Sequence, residues 1–222
     1  MSESQIGFIF DWDGVVVDSS KQHEESWDLL SGAEGLSLFE GHFKAGFGKR
    51  NELIIRELLK WSEDESEIAR LGDLKEVYYR KLVREHGLEP LPGVKDFVQS
   101  LVDTRTPYAV GSSTPRENIM AVKETAGIEG FFEQIFAAAD VTRGKPHPEV
   151  FLKAAALINT PAERCVVFED SFSGIEAGLA GGMKVVAIAT TNTREALEEK
   201  DVALVVDSFE ELSIARLQAF FE

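Results

Sequence analysis

Two aspartates spaced one apart, Asp11 and Asp13, close an apolar run that begins at Ile6, within Phe10-Asp11-Trp12-Asp13-Gly14-Val15-Val16-Val17-Asp18. An apolar run of that length between polar flanks reads as a buried strand. Burying unpaired charge is costly, so two carboxylates at the end of such a strand need a reason. A divalent metal would supply one, and nucleophilic catalysis another. Residues two apart on an extended strand start on the same side. Two neighbouring carboxylates can then divide their labour, one as an ionised nucleophile or metal ligand and one as proton donor and acceptor. A pair with this spacing also suits a turn or a helix cap.

Three further stretches carry reactive residue types. Ser112-Ser113-Thr114 follows an apolar run over 108–111. Hydroxyls and free N–H groups at a helix start can hold a phosphate, or serve as a plain N-cap. In Gly144-Lys145-Pro146-His147-Pro148 the lysine is framed by a glycine and two prolines. It could neutralise a carboxylate cluster together with a bound phosphate, or be a surface loop charge. His147, between two prolines, reads as loop structure rather than a ligand. Finally, Val166-Val167-Phe168-Glu169-Asp170-Ser171 again ends an apolar run in paired acids. Asp170 and Asp11 could share a hard cation, and an all-oxygen ligand set favours magnesium.

These residues need a scaffold that brings strand ends together. From about residue 90, short apolar runs (108–111, 135–138, 165–168, 184–189, 203–206) alternate with amphipathic stretches (93–103, 115–126, 148–157, 173–180, 194–199, 209–220). That alternation predicts an α/β fold with a mostly parallel sheet and helices on both faces. Ligands of such sheets bind outside the carboxyl ends of the strands, where all four stretches can meet. Residues 19–87 differ. Trp27/Leu30, Leu53/Ile54/Glu57/Leu58 and Leu71/Leu74/Val77/Tyr78/Leu82 fall at helical spacing and predict a small helical bundle. The expected organisation is a core of 1–17 and 90–222 with a helical insert of 18–89.

Composition narrows the function. The chain has 222 residues, 44% of them hydrophobic, and a formal charge of −16. With no basic block, binding to nucleic acid through phosphate contacts is not expected. No apolar stretch approaches the ~20 residues of a membrane span. Residues 1–5 lack the charged and apolar regions of a signal peptide. The single cysteine, Cys165, suits a reducing cytosol, and its apolar neighbours mark it as a core thiol. A cytoplasmic monomer is the expectation.

The four stretches, in this order and spacing, resemble the haloacid dehalogenase-like superfamily of aspartate-nucleophile phosphohydrolases. The matching residues are DWDGVVVD at 11–18, SST at 112–114, KP at 145–146 and ED at 169–170. The insert after the first motif looks like the α-helical cap of the β-phosphoglucomutase-like and phosphoglycolate-phosphatase-like branch. The resemblance implies a Rossmann-like core with a small cap and a Mg2+-dependent phosphatase acting on a small phosphorylated metabolite. It implies Asp11 as the nucleophile that becomes an aspartyl-phosphate, and Asp13 as general acid and base. Ser112 and the N–H of Ser113 would hold phosphoryl oxygens, and Lys145 would balance charge. Asp11, Asp170 and the carbonyl of Asp13 would bind Mg2+, with Glu169 in or beside that shell.

The alternative within the resemblance is a phosphosugar mutase of the β-phosphoglucomutase type. His23, Lys49 (in Gly48-Lys49-Arg50-Asn51) and Lys75 fall near cap positions that serve substrate there. Against it, Pro115-Arg116-Glu117-Asn118 departs from the mutase's distal-phosphate sequence, although Arg116 could contact a substrate anion. The cap, by excluding water, is expected to set specificity. A non-catalytic binding module is disfavoured because every expected catalytic residue type is present. A dehalogenase is disfavoured because that branch lacks the second aspartate, here Asp13.

Overall fold

In the computed structural model, which describes residues 5–46 and 49–222, six strands form one parallel sheet. The strands are β1 (Gly7–Phe10), β2 (Tyr108–Gly111), β3 (Ile135–Phe136), β4 (Cys165–Glu169), β5 (Lys184–Ile188) and β6 (Leu204–Val206). Their order is β3-β2-β1-β4-β5-β6, and each pair of neighbours is parallel. The chain leaves β1 toward both edges, so the topological switch point, where a crevice opens, lies at β1. β1 pairs Phe10 with Val110 of β2 and with Phe168 of β4, which sets the ends of these three strands side by side.

Both sheet faces are covered, which is why the strands read as continuous apolar runs rather than alternating ones. On one face Phe8, Phe10 and Phe168 meet Phe97 from helix Val94–Thr104 and Phe209; Phe10 lies 4.8 Å from Phe168, ring centre to ring centre, and 5.7 Å from Phe209. On the other face Ile9, Ala109, Val167 and Val185 pack on Val150, Phe151 and Ala154 of helix Glu149–Leu157 and Ile175 of helix Phe172–Ala180. Cys165 is buried here, and burial pushes its thiol up to about 12, which makes it inert core.

The chain divides into two compact units: one runs to Asp18 and resumes from Leu88 to Glu222, the other is Ser19–Gly87. The second unit is helical. Helices Ser20–Glu34 and Glu65–His86 pack together around Trp27, Leu30, Ile55, Ile68 and Leu71. Asp64 caps the longer helix by accepting from the N–H of Glu67. Gly48, at the head of the predicted cap stretch, lies outside the described residues, as do residues 1–4, on which the signal-peptide expectation falls.

Several expectations need correction. Leu53 and Val77, assigned to apolar stripes, are exposed, while Tyr79 and Lys75 share the buried face of helix Glu65–His86 with Leu71 and Leu82. That face follows the 3.6-residue period through 68, 71, 75, 79 and 82, which Val77 does not. Helix Asn51–Leu53 runs into a π-helical turn, Ile54–Leu58, in which the N–H of Leu59 reaches the carbonyl of Ile54. The helix predicted over 209–220 is broken into Phe209–Glu211, Ile214–Gln218 and Ala219–Phe221. Leu212 is extended and Ser213 caps a fresh start through the N–H of Arg216. β3 ends at Phe136 because the Asp140 carboxylate takes the N–H of Ala137 and tightens Ala138–Asp140 into a 3₁₀ turn.

Candidate active site

Asp11 directly follows β1, and its N–H continues the ladder to the carbonyl of Phe168 on β4. Beyond it the chain folds back: the N–H groups of Val15, Val16 and Val17 all turn toward the carbonyl of Trp12, and the N–H of Gly14 bonds the carbonyl of Val17 at 2.8 Å. Gly14 has φ +78°, and a Cβ there would lie 1.9 Å from Asp170 Oδ2, so both backbone and space require glycine. Ser112 follows β2, where its N–H extends pairing to the carbonyl of Phe136. Glu169 is the last residue of β4 and Asp170 the next.

Lys145, in the loop before helix Glu149–Leu157, joins the first and fourth motifs. Its Nζ stands 2.9 Å from Asp11 Oδ1 and 2.5 Å from Glu169 Oε1, with all three side chains largely buried. It also sits 4.7 Å from the centre of the Phe151 ring. Glu149 fixes that loop by accepting from the N–H groups of Thr142 and Arg143 and from the Thr142 hydroxyl. His147 accepts from the N–H of Glu149 through Nδ1, a loop role.

Both oxygens of Glu169 are engaged. Oε1 takes Lys145, and Oε2 accepts from the N–H of Asp170, the N–H of Ser171 and the Ser171 hydroxyl, each at 2.9 Å. Gly174 gives this carboxylate room, since a Cβ there would lie 1.7 Å from Oε1. Burial favours the neutral form of Glu169, but the Lys145 charge and these donors outweigh it and hold its pKa below the usual value. Burial likewise works against the charge of Lys145, and Asp11 and Glu169 overcome it and raise its pKa. Asp11 is pushed up to about 7, chiefly by burial; the Glu169 charge adds to this, while Lys145 and Ser112 oppose it. Asp170 is raised well above the usual value by burial and by the charges of Glu169 and Asp11.

Asp11, Glu169 and Asp170 offer oxygens within 4.8 Å of one another. Against three buried carboxylates the cluster holds one lysine, which Asp11 and Glu169 share. That formal excess of two carboxylates over the lysine, which also raises Asp11 and Asp170 above the usual carboxylate value, fits a divalent cation. Asp11 and Asp170 have more acceptor capacity left for it than Glu169, whose oxygens already take four donors.

Asp13 accepts a short hydrogen bond from the Thr114 hydroxyl, and Thr114 in turn is linked through its N–H and Oγ1 to Ser112 Oγ at 3.2 Å. Neither Ser113 nor Thr114 caps the next helix, whose N-cap is Pro115 without a side-chain bond. Ser112 is buried and Ser113 exposed. Arg116 is turned away to the carbonyl of Ile135 and the carboxylate of Asp140, so its charge is spent on the β3 turn. Sequence reasoning passed over the polar run after β5: Thr191 donates to Asp170 Oδ2, Asn192 to the Asp170 carbonyl and Thr190 to the Gly14 carbonyl. Its signal was available, because Thr190-Thr191-Asn192 ends an apolar strand as the other motifs do.

In the helical unit, buried Lys75 contacts His23 Nδ1 at 2.6 Å and Glu76 Oε1 at 3.1 Å, and Glu76 accepts from Asn51. The His23 ring stacks on Tyr79 with centres 4.0 Å apart. Lys49 is exposed.

Fold and site together define an α/β protein that gathers an acidic cluster, a buried lysine and a hydroxyl-bearing turn at the carboxyl ends of parallel strands. A family model described as haloacid dehalogenase-like hydrolase matches residues 7–182, and the chain belongs to that family. It is 37% identical over 217 residues to the chloroplastic 5-amino-6-(5-phospho-D-ribitylamino)uracil phosphatase of Arabidopsis thaliana, covering 96% of this chain but 57% of that protein's length. A fructose-1-phosphate phosphatase of Escherichia coli (strain K12) is 31% identical over 188 residues, covering 85% of this chain and 98% of the relative. Among solved structures, a β-phosphoglucomutase from Clostridium difficile superposes with a TM-score of 0.82 at 28% identity, covering 97% of this chain and 96% of that one.

Proposed function

We propose that this protein is a Mg2+-dependent phosphatase that hydrolyses a small phosphorylated sugar or sugar-like metabolite through an aspartyl-phosphate. The observation that carries the reading is the grouping of Asp11, Lys145, Glu169 and Asp170 beside the Asp13–Thr114–Ser112 chain at one end of the sheet. Relatives named as phosphatases of a ribitylamino-uracil phosphate and of fructose 1-phosphate support the substrate class.

In this reading an Asp11 oxygen attacks phosphorus while the bond from phosphorus to the leaving oxygen breaks. Asp13, protonated and oriented by Thr114, gives that oxygen its proton. Asp13, now ionised, takes a proton from the water that attacks the aspartyl-phosphate. The bond from phosphorus to Asp11 then breaks, inorganic phosphate leaves, and both carboxyl groups return to their starting states. Lys145 favours the ionised form of Asp11 against its burial and supplies positive charge to the phosphoryl oxygens, while Glu169 holds Lys145 in place. Ser112 and the N–H of Ser113 bind the transferring group. A magnesium ion held by Asp11 and Asp170, with the Asp13 carbonyl, would add charge neutralisation that the lysine alone does not supply. Phosphoryl transfer depends mainly on positioning and charge stabilisation, which this set of residues suits.

The test is hydrolysis of an aryl phosphate by purified protein with and without Mg2+. Turnover should require the metal and disappear in Asp11→Asn. Undiminished turnover by Asp11→Asn, or after the metal is stripped, would refute the mechanism. The likeness to the Clostridium difficile β-phosphoglucomutase favours mutase activity as a second reading. β-Glucose 1-phosphate with a trace of the bisphosphate separates the two: glucose 6-phosphate accumulates from a mutase, free phosphate from a hydrolase.

A further inference from the structure

We propose that Thr191 is a positioning residue for the cation-binding carboxylate of Asp170, an inference that rests on the metal-dependent reading of the site. Asp170 is 2% exposed and is gripped at both ends by the segment that follows β5. The Thr191 hydroxyl donates to Oδ2, and the Asn192 amide donates to the Asp170 carbonyl at 2.8 Å. Thr190 ties the same segment to the loop after β1 by donating to the Gly14 carbonyl at 2.5 Å. Oδ2 is also hemmed in by Gly14, where even a methyl group would lie 1.9 Å from it.

A carboxylate held by one hydroxyl and confined by backbone has its plane set before any cation arrives. The remaining lone pairs then point in a fixed direction relative to the Asp11 and Glu169 oxygens, which lie within 4.8 Å. Partners that orient a metal-ligating carboxylate affect metal affinity in many sites, typically by about 10- to 100-fold. Thr191 is itself exposed, so removing its hydroxyl leaves the core intact. It makes no contact assigned to substrate, and its effect should reach the reaction only through Asp170.

The experiment compares wild type, Thr191→Val and Thr191→Ser. Mg2+ binding to the phosphate-free protein is measured by calorimetry, and the Mg2+ dependence of aryl phosphate hydrolysis is measured in parallel. Thr191→Val should weaken Mg2+ binding and raise the activation constant by about 10-fold or more. Its kcat and KM at saturating Mg2+ should stay near wild type, and Thr191→Ser should restore the affinity. If Thr191→Val fails to fold, Thr191→Ala carries the same expectations. Wild-type affinity in Thr191→Val, or an effect confined to kcat at saturating metal, overturns the role of Thr191 and leaves the phosphatase reading standing. A wild-type protein that neither binds Mg2+ nor needs it overturns both.

Discussion

Replacing Lys145 by methionine keeps an unbranched side chain, shorter only by the ammonium group, and removes its charge. The ammonium group lies 2.9 Å from Asp11 Oδ1 and 2.5 Å from Glu169 Oε1, and Glu169 is fully buried. Removing one partner of a buried ion pair typically costs about 3–5 kcal/mol, because the other charge is left uncompensated. For a chain of this size each kcal/mol lowers Tm by about 2–4 °C, so the expected loss is about 6–20 °C near neutral pH. The loss should depend on pH. In the wild type, Glu169 has a depressed pKa, and its stabilisation is present above the unfolded carboxylate value and lost as pH falls through the folded one. Asp11 acts oppositely: its pKa near 7 makes folding progressively less favourable as pH rises from about 4 toward 7. Without Lys145 both groups have raised pKa values in the folded state. The variant then recovers at acid pH, where protonation removes the unpaired charge, and is weakest at pH values above both. Thermal unfolding in chelator at two pH values checks this. The Tm gap between wild type and Lys145→Met should be large at about pH 8 and at least halved at about pH 5. Adding Mg2+ at the higher pH should narrow it, since a cation supplies charge to the same carboxylates. A gap that is equal at both pH values, or smaller than about 2 °C at the higher one, would refute the electrostatic account of the cluster.

Gly174→Ala tests the packing behind Lys145: a Cβ would lie 1.7 Å from Glu169 Oε1, and that carboxylate is held by four donors and cannot swing aside. A methyl there is accommodated only by breaking part of that grip, and with it the ion pair to Lys145, so Tm should fall as in Lys145→Met, offset by about 1 kcal/mol of better helix propensity, and hydrolysis should fall about 100-fold as Lys145 is displaced; activity within a few-fold of wild type would show that Glu169 does not position Lys145. Arg116→Ala should leave aryl phosphate KM unchanged and cost at most about 1 kcal/mol by chemical denaturation, because its guanidinium is half-exposed and bonded to Ile135 and Asp140; a KM rise of about tenfold for a phosphosugar would restore Arg116 as a substrate contact.

How far the chain could be read in advance depended on the range of the interaction. The strands after residue 90 were legible because a parallel sheet covered on both faces demands unbroken apolar runs, and 108–111, 165–168 and 203–206 supply them. Where those runs end in Asp11, Ser112 and Glu169-Asp170, the abrupt change of polarity marked the site, since charge at the end of a buried strand must be matched by something. The break at Ser213 was harder to see, because a local cap competed with a continuous helical period. Val77 and Lys75 exchanged the places their types suggest because the face a helix buries is chosen by its neighbours.

Residue order alone made the parallel α/β core legible, together with the reactive residue types at the ends of its apolar runs. The tertiary structure decided which of them touch. Thr114 meets Asp13 across 101 residues, Lys145 meets Glu169 across 24, and Thr191 meets Asp170 across 21. Glu169 illustrates the difference. As a letter beside Asp170 it was a metal ligand or its neighbour; as a buried group with both oxygens occupied it is the anchor of Lys145. Local pattern reports burial and period, but the partner of a buried charge is chosen by strand order and loop path, which bring distant segments together only once the sheet has formed.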